Sequence, residues 1–156
     1  MRRSAEQLSA AMDHHRAGRL VEAERLYRLV CAADPGNAQG FHLLAVVAHQ
    51  LGRRDAAELI GRAVALKPDV AEAHNDHGVI LAANGRFDEA SACFEKAVRL
   101  KPDYLEARNN LGHALRQLGR LDAAVAQFER AAKIAPASAP AHFTLAAAFR
   151  QQGRNQ

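Results

Sequence analysis

A chain of 156 residues that is 49% apolar and 24% charged has the length of one compact unit and too much apolar content for intrinsic disorder. Two cysteines exclude a disulfide framework, and no run approaches the ~20 apolar residues of a membrane span. The net charge of +4 is too mild to call for a nucleic acid or a membrane, and the cations are spread along the chain without interleaved aromatics. The opening MRRSAEQLSA is basic but leads into no apolar stretch. No secretory signal is read there, and the expected location is cytoplasmic.

Helix signals then follow in a regular order. Ser4 with Gln7 has capping-box spacing, and the first helix is expected over Ala5–Ala17, ended by Gly18. A second follows over Val21–Ala33, closed before Pro35. Ala38–Leu51 ends at Gly52, and Ala56–Leu66 stops before Pro68. Asp69 with Glu72 opens Val70–Asn84, which ends at Gly85; Asp88–Leu100 stops before Pro102. Asp103 with Glu106 opens Tyr104–Leu118, ended by Gly119; Asp122–Ala135 stops before Pro136. The last helix is expected over Ala139–Gln152, ended by Gly153.

These punctuation marks are periodic. Glycine followed by arginine recurs from Gly18 through Gly52, Gly85 and Gly119 to Gly153 at intervals of 34, 33, 34 and 34. The prolines from Pro35 to Pro136 recur at 33, 34 and 34. Two independent markers with one period define an internal repeat of two helices, A and B. One residue is missing between Gly52 and Pro68. Ala11, Ala45, Gly78, Gly112 and Ala146 share one position of helix A, where a partner helix must come close. Tyr27, Ile60, Phe94 and Phe128 share a large position of helix B. Small against large is how paired helices interlock. Gly36, Gly40 and Gly61 have no assigned role in this reading.

The pattern resembles the tetratricopeptide repeat. Gly78, Leu81, Ala90, Phe94, Ala97 and Pro102 match its positions in the third unit, and Leu111, Gly112, Leu115, Ala124, Phe128, Ala131 and Pro136 match them in the fourth. The units are 4–37, 38–70, 71–104 and 105–138, followed by a lone helix A over 139–156, in a single domain. The aromatic common early in helix A is kept as Phe41 and replaced by His74, Arg108 and His142. The resemblance implies an all-α, right-handed α-solenoid of stacked antiparallel helix pairs, with helices A lining a concave groove. The groove then presents His42 and His49 from the second unit and Asn75 and Asp76 from the third. It presents Asn109, Asn110, His113, Arg116 and Gln117 from the fourth, and Arg150 from the last helix. Val46, Val79, Ala82 and Ala83 give it an apolar centre.

Asparagine and glutamine can bond a peptide backbone without reading its sequence, and arginine adds charge-assisted bonds to carboxylates. The expected function is therefore an adaptor that binds a protein or peptide with acidic flanks. The HNDHG and RNNLG stretches are also similar to repeats that precede O-GlcNAc transferase-like catalytic domains. Those repeats carry an asparagine ladder; here Asn110 stands at the ladder position, and Asp76 and Leu43 at the matching ones. This suggests an alternative, the substrate-recruiting arm of a larger enzyme. A third reading is a scaffold that self-associates through the last helix, where Phe143, Leu145 and Phe149 have no following helix B to pack against.

No GxGxxG, phosphate loop, HExxH or GxSxG occurs, so neither catalytic residues nor a cofactor are expected. All eight histidines fall on helices A. His74 and His77 stand at i, i+3, but no cysteine or carboxylate cluster completes a shell, so they read as packing residues rather than metal ligands. Cys31 and Cys93 fall on helices B, away from any histidine base.

Overall fold

The computed structural model describes residues 2–137 and 139–154. Its elements are α1 (Arg2–Arg16), α2 (Leu20–Ala33), α3 (Ala38–Gln50), α4 (Ala56–Leu66), α5 (Ala71–Ala83), α6 (Phe87–Leu100), α7 (Leu105–Gln117), α8 (Leu121–Ile134) and α9 (Ala139–Arg154). Among the described residues there is no strand. The chain divides into two compact units, Met1–Ile80 and Leu81–Gln156, with the division falling inside α5. The all-α solenoid of helix pairs expected from the repeat is the fold observed.

Four helices A end as the periodic glycines require. Gly18, Gly52, Gly85 and Gly119 take φ between 67° and 75°, the left-handed region that other residues enter at a cost. The arginine after each glycine then donates its backbone N–H to the carbonyl five residues back: Arg19 to His14, Arg53 to Ala48, Arg86 to Leu81 and Arg120 to Leu115. This closes the helix end and turns the chain into helix B. Gly153 departs from the series, because α9 continues through it to Arg154 without a left-handed turn.

The expected capping boxes do not form. Asp69 and Asp103 stand two residues before α5 and α7 begin, one place too early to cap them. Tyr104 is the N-cap of α7 and makes no side-chain cap bond. Ser4 lies inside α1, and its side chain is outside the described residues. The cap that does form is Asn37, whose side-chain oxygen accepts from Gly40 N at 2.8 Å. A Cβ on Gly40 would sit 3.3 Å from both Asn37 and the Cys31 sulfur, which accounts for that glycine.

The missing residue shortens one helix. α4 has 11 residues against 14 in α2, α6 and α8, and it begins four residues after its glycine rather than two. Asp55, at its N-terminus, accepts from Arg28 of α2 at 2.8 Å. Arg28 also binds Glu24, which Arg53 grips from the other side, with closest approaches of 2.9 Å. Glu24 is 7% exposed. Burial opposes its ionisation, but the hydrogen bonds and charges of Arg53 and Arg28 outweigh that and hold its carboxyl below the usual range.

Three of the turns after helices B have their proline carbonyl bonded by a long side chain. His74 Nε2 donates to Pro68 O at 2.9 Å. Arg108 donates to Pro102 O through Nε at 2.9 Å and Nη2 at 2.6 Å. At the first such turn Arg62 lies 4.3 Å over the Phe41 ring and reaches Pro35 O at 3.5 Å. His74 and Arg108, which replace the family aromatic, thus act as donors to a turn carbonyl. His142 lies outside the described side chains.

The small and large positions meet in the core. Ala11, Ala45, Tyr27 and Ile60 are fully buried in one cluster of the first unit. In the second unit a Cβ on Gly112 would come within 2.5 Å of the Phe128 ring, so only glycine fits there without movement. Ala146 departs from this row: it is exposed on α9, with no described helix over it. Gly112→Ala should lower stability by about 1–3 kcal/mol through overpacking. Gly61→Ala should raise it by about 0.5–1 kcal/mol, since Gly61 lies within α4 with His77 3.9 Å from an added Cβ. Urea unfolding of both variants checks the pair, and shifts of the same sign would contradict the packing described.

Candidate functional site

In the first unit the helix-A row is cross-linked by its own polar side chains. His42 of α3 and Asp76 of α5 pair at 2.6 Å between Nε2 and Oδ2, both part-buried. One repeat earlier, His15 of α1 meets the Gln50 side-chain oxygen of α3 at 3.2 Å. His49 is half-buried on the same helix. His42 also borders a cleft of about 220 Å³, lined by Ala38, Gln39, Ala63, Lys67, Val70 and Ala73. Asn75 does not face this row. It is fully buried, because one residue of helix rotation from Asp76 carries it into the core.

In the second unit α7 presents a stripe at i, i+4 and i+7: Asn109, His113 and Arg116. Asn109 is part-buried, and its Oδ1 is buried without a hydrogen-bond partner among the described residues. His113 sets its ring edge against Phe128 of α8, centroids 5.2 Å apart. Burial against the protein, with help from the nearby Arg116 charge, holds the His113 pKa below its ordinary 6.5. Arg116 is half-buried and makes no ion pair among the described residues. Asn110 is half-buried and Gln117 exposed. Arg150 of α9 is exposed and, among the described residues, donates to Ala146 O of its own helix at 3.4 Å. Phe143 lies outside the described side chains.

Among the described residues no group of three His, Cys, Asp or Glu side chains is placed to hold a metal ion, and His74 is engaged with the Pro68 carbonyl. Burial pushes the Cys31 thiol up to about 11 and raises that of Cys93, so neither is a ready nucleophile at neutral pH. Among the described residues no helix is long and apolar enough to cross a membrane.

Models of the tetratricopeptide repeat match residues 43–104, 75–140 and 109–156, and a second model of the same repeat matches 7–28. Tetratricopeptide repeat protein 7B of Homo sapiens is 37% identical over 78 residues, or 49% of this chain. The chain spans only 9% of that relative's length. A crystal structure of MamA aligns over 96% of this chain and 82% of its own, with a TM-score of 0.89 and 24% identity. The structure titled MamA AMB-1 aligns over 97% and 84%, with a TM-score of 0.83 and 27% identity. The chain belongs to the tetratricopeptide repeat family.

The electrostatics of the α7 stripe can be read directly. The folded chain binds the His113 proton less tightly than the unfolded chain, so this residue costs stability as pH falls below about 6.5. In an NMR titration His113 should show a pKa below 6.5, and Arg116→Glu should raise it. An unchanged His113 value in the variant would contradict the proximity of the two groups.

Proposed function

We propose that this tetratricopeptide repeat protein is an interaction module that holds an extended, acidic-flanked peptide segment on its helix-A faces. The observation that carries this reading is the α7 stripe. Among the described residues the half-buried Arg116 makes no ion pair, and one helix turn beyond His113 stands Asn109, whose buried oxygen has no hydrogen-bond partner. A peptide supplies what Arg116 lacks, carboxylates for it and, one repeat on, for Arg150. The neutral His113 adds an apolar edge rather than a competing charge. In the first unit, His42 and Asp76 pair with one another.

Affinity capture from native lysate, read by mass spectrometry, tests this with wild type beside Arg116→Glu/Arg150→Glu. Both residues sit on solvent-facing parts of their helices, so the variant should keep its helical circular dichroism. A partner retained by wild type and lost by the variant is the expected result. Equal retention by both contradicts the groove. Recovery of the chain's own copies alone would move the function to α9, where Phe149 is 46% exposed.

A further inference from the structure

The helix-B side of the second unit carries a groove that the reading above leaves unused. It lies between α6 and α8 over α7 and encloses about 360 Å³. Leu111 and Leu115 of α7, both buried, form its base, and Val98 and Ala123 stand on its walls. The rim is polar and mostly cationic, with Arg99 on one side and Arg120 and Arg130 on the other.

Little in the fold neutralises these arginines. Arg99 meets Glu95 only at 3.9 Å, and Arg120 meets Asp88 at 3.6 Å, all four side chains being about half exposed or more. Exposed pairs of that kind contribute little. Arg130 makes no ion pair among the described residues. Beneath it, the buried Arg108 spends its donors on Pro102 O and on the Gln127 oxygen, which are neutral acceptors. Burial, and to a lesser degree the Arg130 charge, lowers the Arg108 pKa.

An apolar strip between weakly paired guanidiniums, with Glu95 the one carboxylate of the lining, selects its occupant. A flat anionic membrane meets the rim but cannot enter the groove. A nucleic acid satisfies the cations but leaves the leucine base unfilled. An amphipathic helix does both, with apolar side chains at i, i+3 and i+4 on the strip and carboxylates beside them on the rim. Arg120 and Arg130 are ten residues apart, ~15 Å along α8, which is the length of about three helical turns.

We propose that this groove is a second docking surface, separate from the helix-A faces, for an amphipathic helical segment of a partner protein whose apolar stripe is flanked by Asp or Glu. A test uses a fluorescent amphipathic peptide of about 18 residues, roughly five turns, with leucines on one face and glutamates beside them. Its anisotropy is followed with the full chain. Wild type should bind saturably and less tightly as salt rises. Arg99→Glu/Arg130→Glu should weaken binding by about tenfold or more, and Ala123→Glu, which leaves every arginine in place, should act in the same direction. Arg116→Glu/Arg150→Glu should leave it unchanged. The proposal is overturned if wild type does not bind, if a lysine-for-glutamate peptide binds equally, or if loss occurs only in the Arg116→Glu/Arg150→Glu variant. Binding to phosphatidylglycerol vesicles without peptide binding, lost in Arg99→Glu/Arg130→Glu, overturns it in favour of a membrane surface.

Discussion

In α1/α2, α3/α4 and α7/α8 a small residue of helix A packs in the core with a large residue of helix B. The contact is tightest where Gly112 lies under Phe128: a single methyl group on the glycine would stand 2.5 Å from the ring. Alanine serves at the same repeat position in Ala11 and Ala45, which are wholly buried with Tyr27 and Ile60. The contact sets how far helix A is rolled about its axis. The roll in turn decides which residues face the partner helix and which are left outside. His113, one residue after Gly112, lays its edge on the same Phe128 ring, so the packing contact and the first polar residue of the α7 stripe are built on one side chain.

The polar chemistry of the interior follows from the turns. A proline follows each helix B, and the carbonyls of Pro35, Pro68 and Pro102 accept from side chains. His74 and Arg108 donate by reaching back six residues, and Arg62 donates across the Phe41 ring. A position usually filled by an aromatic has here been given a donor, and the same buried volume performs an additional bonding task. In the first unit the Glu24 carboxylate does comparable work between α2 and the turn before the shortened α4.

The helices were legible because their ends are marked by residues with strong local preferences. Gly18, Gly52, Gly85 and Gly119 take the left-handed conformation that only glycine adopts freely, and a periodic signal averages out local ambiguity. The shortened α4 was likewise visible as a break in the period. Side-chain roles were less legible. Asn75 and Asp76 are neighbours in sequence and equally polar, yet one is buried and the other paired with His42, because α5 is polar and apolar on several faces at once. The helices begin at Ala71 and Leu105, one residue later than caps at Asp69 and Asp103 require. The Glu24 bonds join α2 to the turn before α4, and the cationic groove joins residues of α6, α7 and α8 with Arg120; no local spacing announces either set.

The central claim is that the small–large contact between Gly112 and Phe128 fixes the helix pair that carries the α7 stripe. A double-mutant cycle tests it most directly, with Gly112→Ala, Phe128→Leu and the combination compared by urea unfolding. The account predicts strong coupling: the smaller leucine makes room for the added methyl, so the double variant should be more stable than the sum of the singles by about 0.5–3 kcal/mol. Additive losses would show that the two side chains do not constrain one another, and would contradict the account.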